Sequence, residues 1–204
     1  MTGSSRDIAY TILAGGLNTR YGGKTKATEK VGGEEIIGRI TRELKPLGGE
    51  IIIVTNTPEK FSGYSSFSLV SDIFKKAGPL GGIHAAMSNS DSDAFFVIAG
   101  DMPFIDSKLL LEQIEVFRTR GCEVLIPLLN GFIEPLHGIY SASISGRLTS
   151  FLEKSQKMSI REFLKEVDTS YWEPGDKVSF RRAVVNINTP GDLRLVENLY
   201  LDRG

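Results

Sequence analysis

Three short apolar runs, separated by stretches of helical spacing, constrain this chain more than any other feature. Ile8–Leu13, Glu50–Val54 and Ala94–Ala99 are rich in β-branched or aromatic residues and do not alternate strictly between apolar and polar. That is the pattern of parallel strands covered on both faces. Between the first two lie Ile36, Ile37, Ile40, Leu44 and Leu47 at helical intervals, followed by Gly48-Gly49 as a stop. A later helix reads from Ser107 to Arg120, with Leu109, Leu110, Ile114 and Phe117 on one face and Gly121 ending the run. Strands alternating with helices predict an α/β protein with a mostly parallel sheet.

The pattern then changes. Glu123–Leu129 and Phe132–Tyr140 are apolar runs joined by Asn130-Gly131, a pair suited to a tight turn, so an antiparallel hairpin is expected on one edge. Ser159 with Glu162 three residues later reads as a capping box for a helix reaching about Val167. Thr189-Pro190, with Asp192 in the first turn, starts a terminal helix. Tyr64 to Ser68 and Ser88 to Asp93 read as exposed loops.

With 204 residues, 41% of them hydrophobic, and no repeat or long linker, one domain spanning 1–204 is expected. Lys plus Arg number 24 against 25 Asp plus Glu, with no long basic run, which argues against a nucleic-acid partner. The single cysteine, Cys122, excludes an internal disulfide framework and a CxxC metal site, and suggests a reducing compartment such as the cytoplasm. Met1 to Asp7 is short and polar and no run of about 20 apolar residues follows, so neither export nor membrane spanning is expected.

Where the first predicted strand ends, Leu13-Ala14-Gly15-Gly16-Leu17-Asn18-Thr19-Arg20-Tyr21-Gly22-Gly23-Lys24-Thr25-Lys26 places four glycines and three cations within fourteen residues. This is the ligand-binding end of a parallel sheet. Glycines let backbone N–H groups close around phosphate oxygens, and Arg20, Lys24 and Lys26 can supply charge to the same anion. The blander alternative is a glycine-rich surface turn with solvated lysines. A dinucleotide fingerprint fails, because Gly15 and Gly16 are adjacent and the next glycine is Gly22. A P-loop matches only at Gly23-Lys24-Thr25, since Asn18 stands where its first glycine belongs. The apolar run ending at Asp101 keeps that alternative open.

Gly78-Pro79-Leu80-Gly81-Gly82 leads into Ile83-His84-Ala85-Ala86-Met87, a helix start that could hold a base edge or phosphate, or be an ordinary tight turn. His84 on that helix reads as a packing or capping residue. Asp72 is a candidate for a base or ribose contact, or simply a loop carboxylate. Gly100-Asp101-Met102-Pro103 ends a strongly apolar strand with a carboxylate, a hard oxygen ligand of the type Mg²⁺ takes together with substrate phosphates, and Asp101 is the expected metal ligand. A strand-end aspartate facing solvent is the alternative. Polar groups also interrupt the apolar elements at Glu134 to Tyr140 and Asn186 to Pro190, so His137 could contact an acceptor or be structural. Only two histidines exist and neither lies in a nucleophile motif, so triad chemistry is not supported.

Together these motifs resemble the MobA-like family of molybdenum cofactor guanylyltransferases, over nearly the whole chain. Leu13-Ala14-Gly15-Gly16 with Arg20, Gly22-Gly23 and Lys26 is similar to the family's first signature, and Gly78 to Gly82 to its second. Gly100-Asp101-Met102-Pro103 and Asn186-Ile187-Asn188-Thr189-Pro190 are similar to the third and last. The resemblance implies a Rossmann-like three-layer α/β sandwich, with a nucleotide-binding part over 1–105 and an acceptor-binding part over 106–204. It implies GTP and Mg²⁺ as ligands, molybdenum-bound molybdopterin as acceptor, and proteins of the molybdenum-cofactor pathway as possible partners of a monomer or weak homo-oligomer.

By matching position, Leu13, Ala14, Gly15, Gly16, Lys26, Asn56, Asp72, Gly81 and Asp101 would contact the nucleotide. Arg20, Lys26 and Asp101 would serve catalysis, with Asp101 holding Mg²⁺, and His137, Asn186 and Asn188 would lie near the acceptor. The chain departs from the family at Tyr21, where Met is usual, and at Thr25, where Asp is usual; Gly81-Gly82 replaces a common Ala-Gly. Gly15-Gly16 after Leu13-Ala14 leans towards guanine. A cytidylyltransferase or sugar-phosphate nucleotidyltransferase, and a non-catalytic NTP-binding module, are the alternatives.

Overall fold

The computed structural model describes residues 7–15, 25–155, 158–189 and 191–195. In chain order its strands are β1 (Ile8–Leu13), β2 (Lys30–Val31), β3 (Glu34–Glu35), β4 (Ile51–Val54), β5 (Ser68–Val70), β6 (Ala94–Ala99), β7 (Val124–Leu129), β8 (Phe132–Ile133), β9 (His137–Ser141) and β10 (Thr169–Trp172). The helices are α1 (Ile36–Leu44), α2 (Pro79–Ser88), α3 (Ser107–Arg120), α4 (Ser145–Lys154), α5 (Ile160–Phe163) and α6 (Lys177–Ala183). The main sheet runs β10-β7-β9-β6-β1-β4-β5, with β8 paired to β7, while β2 and β3 form a separate small ribbon.

Pairing is parallel in β1 with β4 and β6, in β4 with β5, and in β10 with β7. Within the main sheet, among the described residues, only the pairs made by β9 and by β8 are antiparallel, and the separate β2–β3 ribbon is antiparallel too. The expected α/β sandwich with an antiparallel pair towards one edge is thus present, with β10 added outside it. Side chains of successive strand residues go to opposite layers. Tyr10, Ile12, Phe96 and Ile98 join Ile36, Ile40, Leu110, Phe117 and Phe180 of α1, α3 and α6. Ala9, Phe95 and Val97 join Leu80, Ile83, Leu148 and Leu152 of α2 and α4. Burial on both faces is the reason these strands carry no polar alternation.

Several boundaries follow the local signals. Asn130 and Gly131 both have positive φ (51° and 80°), the geometry a two-residue hairpin turn needs. Asp106 caps α3 by accepting the Lys108 N–H at 2.8 Å, and Gly121 closes it in the left-handed region. Other segments differ from expectation. The run Phe132–Tyr140 is broken after β8, because Pro135 has no N–H to extend the ladder and the chain turns there before crossing to β6 as β9. The helix after Ser159 is only α5, and no Ser159 side-chain cap forms. Tyr64 to Ser68 is not wholly a loop, since Tyr64 ends a run of 3-10 turns and Ser68 begins β5 on the sheet edge.

Candidate active site

Three parallel strands end side by side. Leu13 of β1 lies opposite Val54 of β4 and Ala99 of β6, so the same edge receives Ala14-Gly15, Thr55-Asn56 and Gly100-Asp101. The backbones close tightly here. Ala14 donates its N–H to the Val54 carbonyl at 2.9 Å and Gly100 donates to the Leu13 carbonyl at 3.0 Å. A Cβ at residue 100 would lie 2.9 Å from the Leu13 carbonyl oxygen, which is why glycine precedes Asp101.

On this edge one ammonium joins three distant segments. Lys26 opens a 3-10 turn over Lys26–Thr28, folded by the Thr28 N–H and hydroxyl on the Thr25 carbonyl at 3.1 and 2.9 Å. Its Nζ donates to Asp101 Oδ2 at 3.2 Å and to Asn188 Oδ1 at 2.9 Å. The Lys26 and Asp101 side chains retain 22% and 19% of their exposure, so the pair is sheltered yet reachable by a solute. The Ile187 N–H donates to the Asp101 carbonyl at 3.0 Å and fixes the third segment against the second. Asn188 is held in turn by a reciprocal cap. The Asp192 carboxylate accepts the N–H groups of Asn188 and Thr189 at 2.9 and 2.8 Å, and Thr189 Oγ1 accepts the Asp192 N–H at 3.1 Å. The Asn188 and Thr189 hydrogen bonds, with the Lys26 charge nearby, hold the Asp192 carboxyl below the usual carboxylate range.

A second pair lies at the end of β4. Asn56 Nδ2 donates to Asp72 Oδ2 at 3.0 Å, and the Asp72 N–H donates to Asn56 Oδ1 at 3.2 Å. Asp72 lies over the first turn of α2, its Oδ1 3.6 Å from where a Cβ of Gly82 would be. Gly78, with φ 60°, is the N-cap residue of α2, and no side chain caps the helix. Gly15 is exposed, and Asn56 Nδ2 is 4.0 Å from where its Cβ would be, so the Asn56–Asp72 pair lies beside Gly15.

His137 must be corrected. Its side chain is 0% exposed, packed edge-on between Phe96 and Phe180 at 5.2 and 5.1 Å, so in this conformation it touches no solute. Gln113 Nε2 donates to the His137 carbonyl at 2.9 Å, which turns Gln113 Oε1 towards His137 Nδ1 at 3.0 Å and assigns the ring proton to Nδ1. Burial lowers its pKa to about 4 and keeps the ring neutral. His84 is packed rather than catalytic, with Nε2 3.1 Å from Thr149 Oγ1 and its ring edge-on to Phe74. Asn186 is half-buried and its amide donates to the Val184 carbonyl at 3.3 Å, apart from the Lys26 cluster. Gly16 and Arg20, with Tyr21, Gly22, Gly23 and Lys24, lie outside the described residues. The reading from sequence passed over Arg39, a cation buried in the apolar face of α1 beside this site. Its signal was a charge sitting between Ile36 and Ile40.

No group of three or more His, Cys, Asp or Glu side chains among the described residues is arranged to hold a metal. Asp101 Oδ2 and Asn188 Oδ1 nevertheless converge on one cation, the Lys26 ammonium. One carboxylate and one amide oxygen suit an Mg²⁺ ion that takes its remaining ligands from substrate phosphates and water, not a closed protein cage.

The family model for the MobA-like NTP transferase domain matches residues 10–170. The chain belongs to that family. Over 194 residues it is 31% identical to a probable molybdenum cofactor guanylyltransferase of Natranaerobius thermophilus, covering 92% of this chain and 93% of that one. It is 30% identical over 187 residues to the molybdenum cofactor guanylyltransferase of Vibrio parahaemolyticus, covering 91% and 92%. The crystal structure of molybdopterin-guanine dinucleotide biosynthesis protein A from Archaeoglobus fulgidus superposes with a TM-score of 0.82 at 26% identity, over 95% of this chain and 99% of that one. In this MobA-like chain, no helix among the described residues is long and apolar enough to cross a membrane.

Proposed function

We propose that this MobA-like nucleotidyltransferase moves GMP from GTP to molybdenum-bound molybdopterin, giving the guanine dinucleotide form of the cofactor and pyrophosphate. The observation that carries the reading is the convergence of Lys26, Asp101 and Asn188 at the strand ends of a MobA-like domain, 75 and 162 residues apart along the chain. Relatives named as molybdenum cofactor guanylyltransferases over nine-tenths of the chain support the substrates. The reaction runs in the cytoplasm in this reading. Residues 1–105 serve the nucleotide and 106–204 the acceptor.

The chemistry is an in-line displacement. An oxygen of the acceptor's terminal phosphate forms a bond to the α-phosphorus of GTP, the bond from that phosphorus to the bridging β-oxygen breaks, and pyrophosphate leaves with the electron pair. No covalent enzyme intermediate is required, so the protein's contribution is positioning and charge neutralisation. Leu13, Ala14, Gly15 and Gly16 are assigned to the nucleotide, with the Gly15 N–H left to the polyphosphate because the Ala14 N–H is taken by the Val54 carbonyl, and Arg20 and Lys26 offset its charge. Asn56, Asp72 and the α2 start at Gly81 take the nucleoside end. Asn186 and Asn188 lie on the acceptor side. When bound to Asp101, Mg²⁺ stabilises negative charge developing on the phosphate oxygens.

The test is pyrophosphate release with Mg²⁺ and molybdenum-loaded molybdopterin, comparing GTP, CTP, ATP and UTP. Release with GTP alone is expected. Release with CTP would reassign the specificity, and orthophosphate as the product would reassign the reaction. Asp101→Asn should fold normally and lower kcat by roughly 10²- to 10³-fold; a variant within twofold of wild type would remove the metal and nucleotide role assigned to Asp101.

A further inference from the structure

α1 buries Ile36, Ile37, Ile40 and Leu44, and among them the guanidinium of Arg39, whose side chain keeps 9% of its exposure. A charge so far out of water is retained only where several acceptors surround it. Its Nε donates to the Pro103 carbonyl at 3.1 Å and its Nη1 to the Val31 carbonyl at 3.4 Å. Glu34 Oε2 approaches Nη1 at 3.7 Å, and the guanidinium lies 5.9 Å from the centre of the Phe104 ring. The two carbonyls belong to separate parts of the chain. Pro103 is two residues beyond Asp101, and Val31 is five beyond Lys26.

We propose that Arg39 is a positioning residue that holds the segments carrying Lys26 and Asp101 at the separation the transfer requires. The inference rests on the roles assigned to those two residues above. The planar guanidinium is the side chain suited to this, because it directs Nε–H and Nη–H at fixed angles to each other. From one rigid helix it fixes the Pro103 carbonyl, two residues past Asp101, and the Val31 carbonyl, five residues past Lys26, at once. The Asp101 loop is thereby held from both sides, with the Ile187 N–H on the Asp101 carbonyl at 3.0 Å and Arg39 on the Pro103 carbonyl. A lysine at position 39 keeps the charge near Glu34 and the apolar stem, but its single ammonium does not reproduce the directed fork.

The test compares Arg39→Lys, Arg39→Gln, Asp101→Asn and, as a control, Arg42→Gln, whose exposed side chain shares Glu34 Oε2 with Arg39 but is not the donor to the Pro103 or Val31 carbonyl. For each, kcat, KM for GTP, the Mg²⁺ concentration for half-maximal rate and the thermal midpoint are measured on the full chain. The expected result is an Arg39→Lys enzyme with kcat lowered about 10- to 100-fold and a raised Mg²⁺ requirement, GTP KM within about twofold, and a thermal midpoint within a few degrees of wild type. Arg39→Gln should lose at least as much, and Arg42→Gln nothing. Activity loss that only tracks the unfolded fraction, or unchanged kcat in both Arg39 variants, overturns the clamp. If Asp101→Asn stays active, the assignment of the site fails first and the clamp has nothing to position; if Asp101→Asn is inactive and Arg39→Lys is normal, only the clamp fails.

Discussion

His137 makes a direct link between one buried side chain and the protein's response to acid. The folded chain keeps its imidazole neutral, with a pKa lowered to about 4 by burial, whereas in the unfolded chain it titrates near 6.5. Between those values the unfolded state takes up a proton that the folded state refuses. Stability from this group is therefore complete above about pH 6.5 and declines as pH falls towards 4, by roughly 3 kcal/mol at the limit. Urea denaturation at pH 7, 5.5 and 4.5 should show that decline, and His137→Gln should flatten it while lowering stability at pH 7. An unchanged slope in the variant would assign the acid sensitivity to other groups. At this scale the sequence separated Asp101, where a carboxylate ends an apolar strand, from the background. It left His137 undecided, because a histidine in an apolar run looks the same whether it faces a ligand or Phe96 and Phe180.

The first turn of α2 shows how one element restricts substitution. An alanine at position 81, common in the family the chain resembles, reads as a minor change from sequence. Here its Cβ would sit 2.9 Å from the Phe74 carbonyl oxygen and 3.1 Å from the Ala77 Cβ, with the Asp72 carboxyl carbon 3.9 Å away. The helix-propensity gain of about 1 kcal/mol is outweighed by overpacking of roughly 1–3 kcal/mol against backbone that must shift. Gly81→Ala should therefore lower the thermal midpoint and raise KM for GTP by displacing Asp72; a variant with both unchanged would show that the Phe74 turn moves without cost. Helix ends written in local chemistry, such as Gly121 closing α3 or the cap between Thr189 and Asp192, were readable in advance, whereas the Asp106 cap of α3 came from the structure. The α5 boundary and the break at Pro135 were not, since each depends on which strand the chain next pairs with.

Because the candidate site joins the ends of β1, β4 and β6 with Ile187 and Asn188, ligand binding should stabilise the whole molecule. With GTP and Mg²⁺ at about 100 times Kd, the gain is about 2.7 kcal/mol, a rise of roughly 5–10 °C in thermal midpoint for a chain of this size. Asp101→Asn should lose most of that protection while its ligand-free midpoint stays near wild type, and full protection in the variant would place the nucleotide elsewhere. By itself the sequence determined the parallel α/β core and the positions of Gly15 and Asp101 just past strand ends, because burial on both faces and the glycine or carboxylate that ends an apolar run leave local signatures. Only the tertiary structure decided that Lys26 meets Asp101 and Asn188, that His137 is sealed in the core, and that Arg39 ties Val31 to Pro103. Those relations join residues as much as 162 positions apart, and strand order and register, which no local pattern encodes, bring them together.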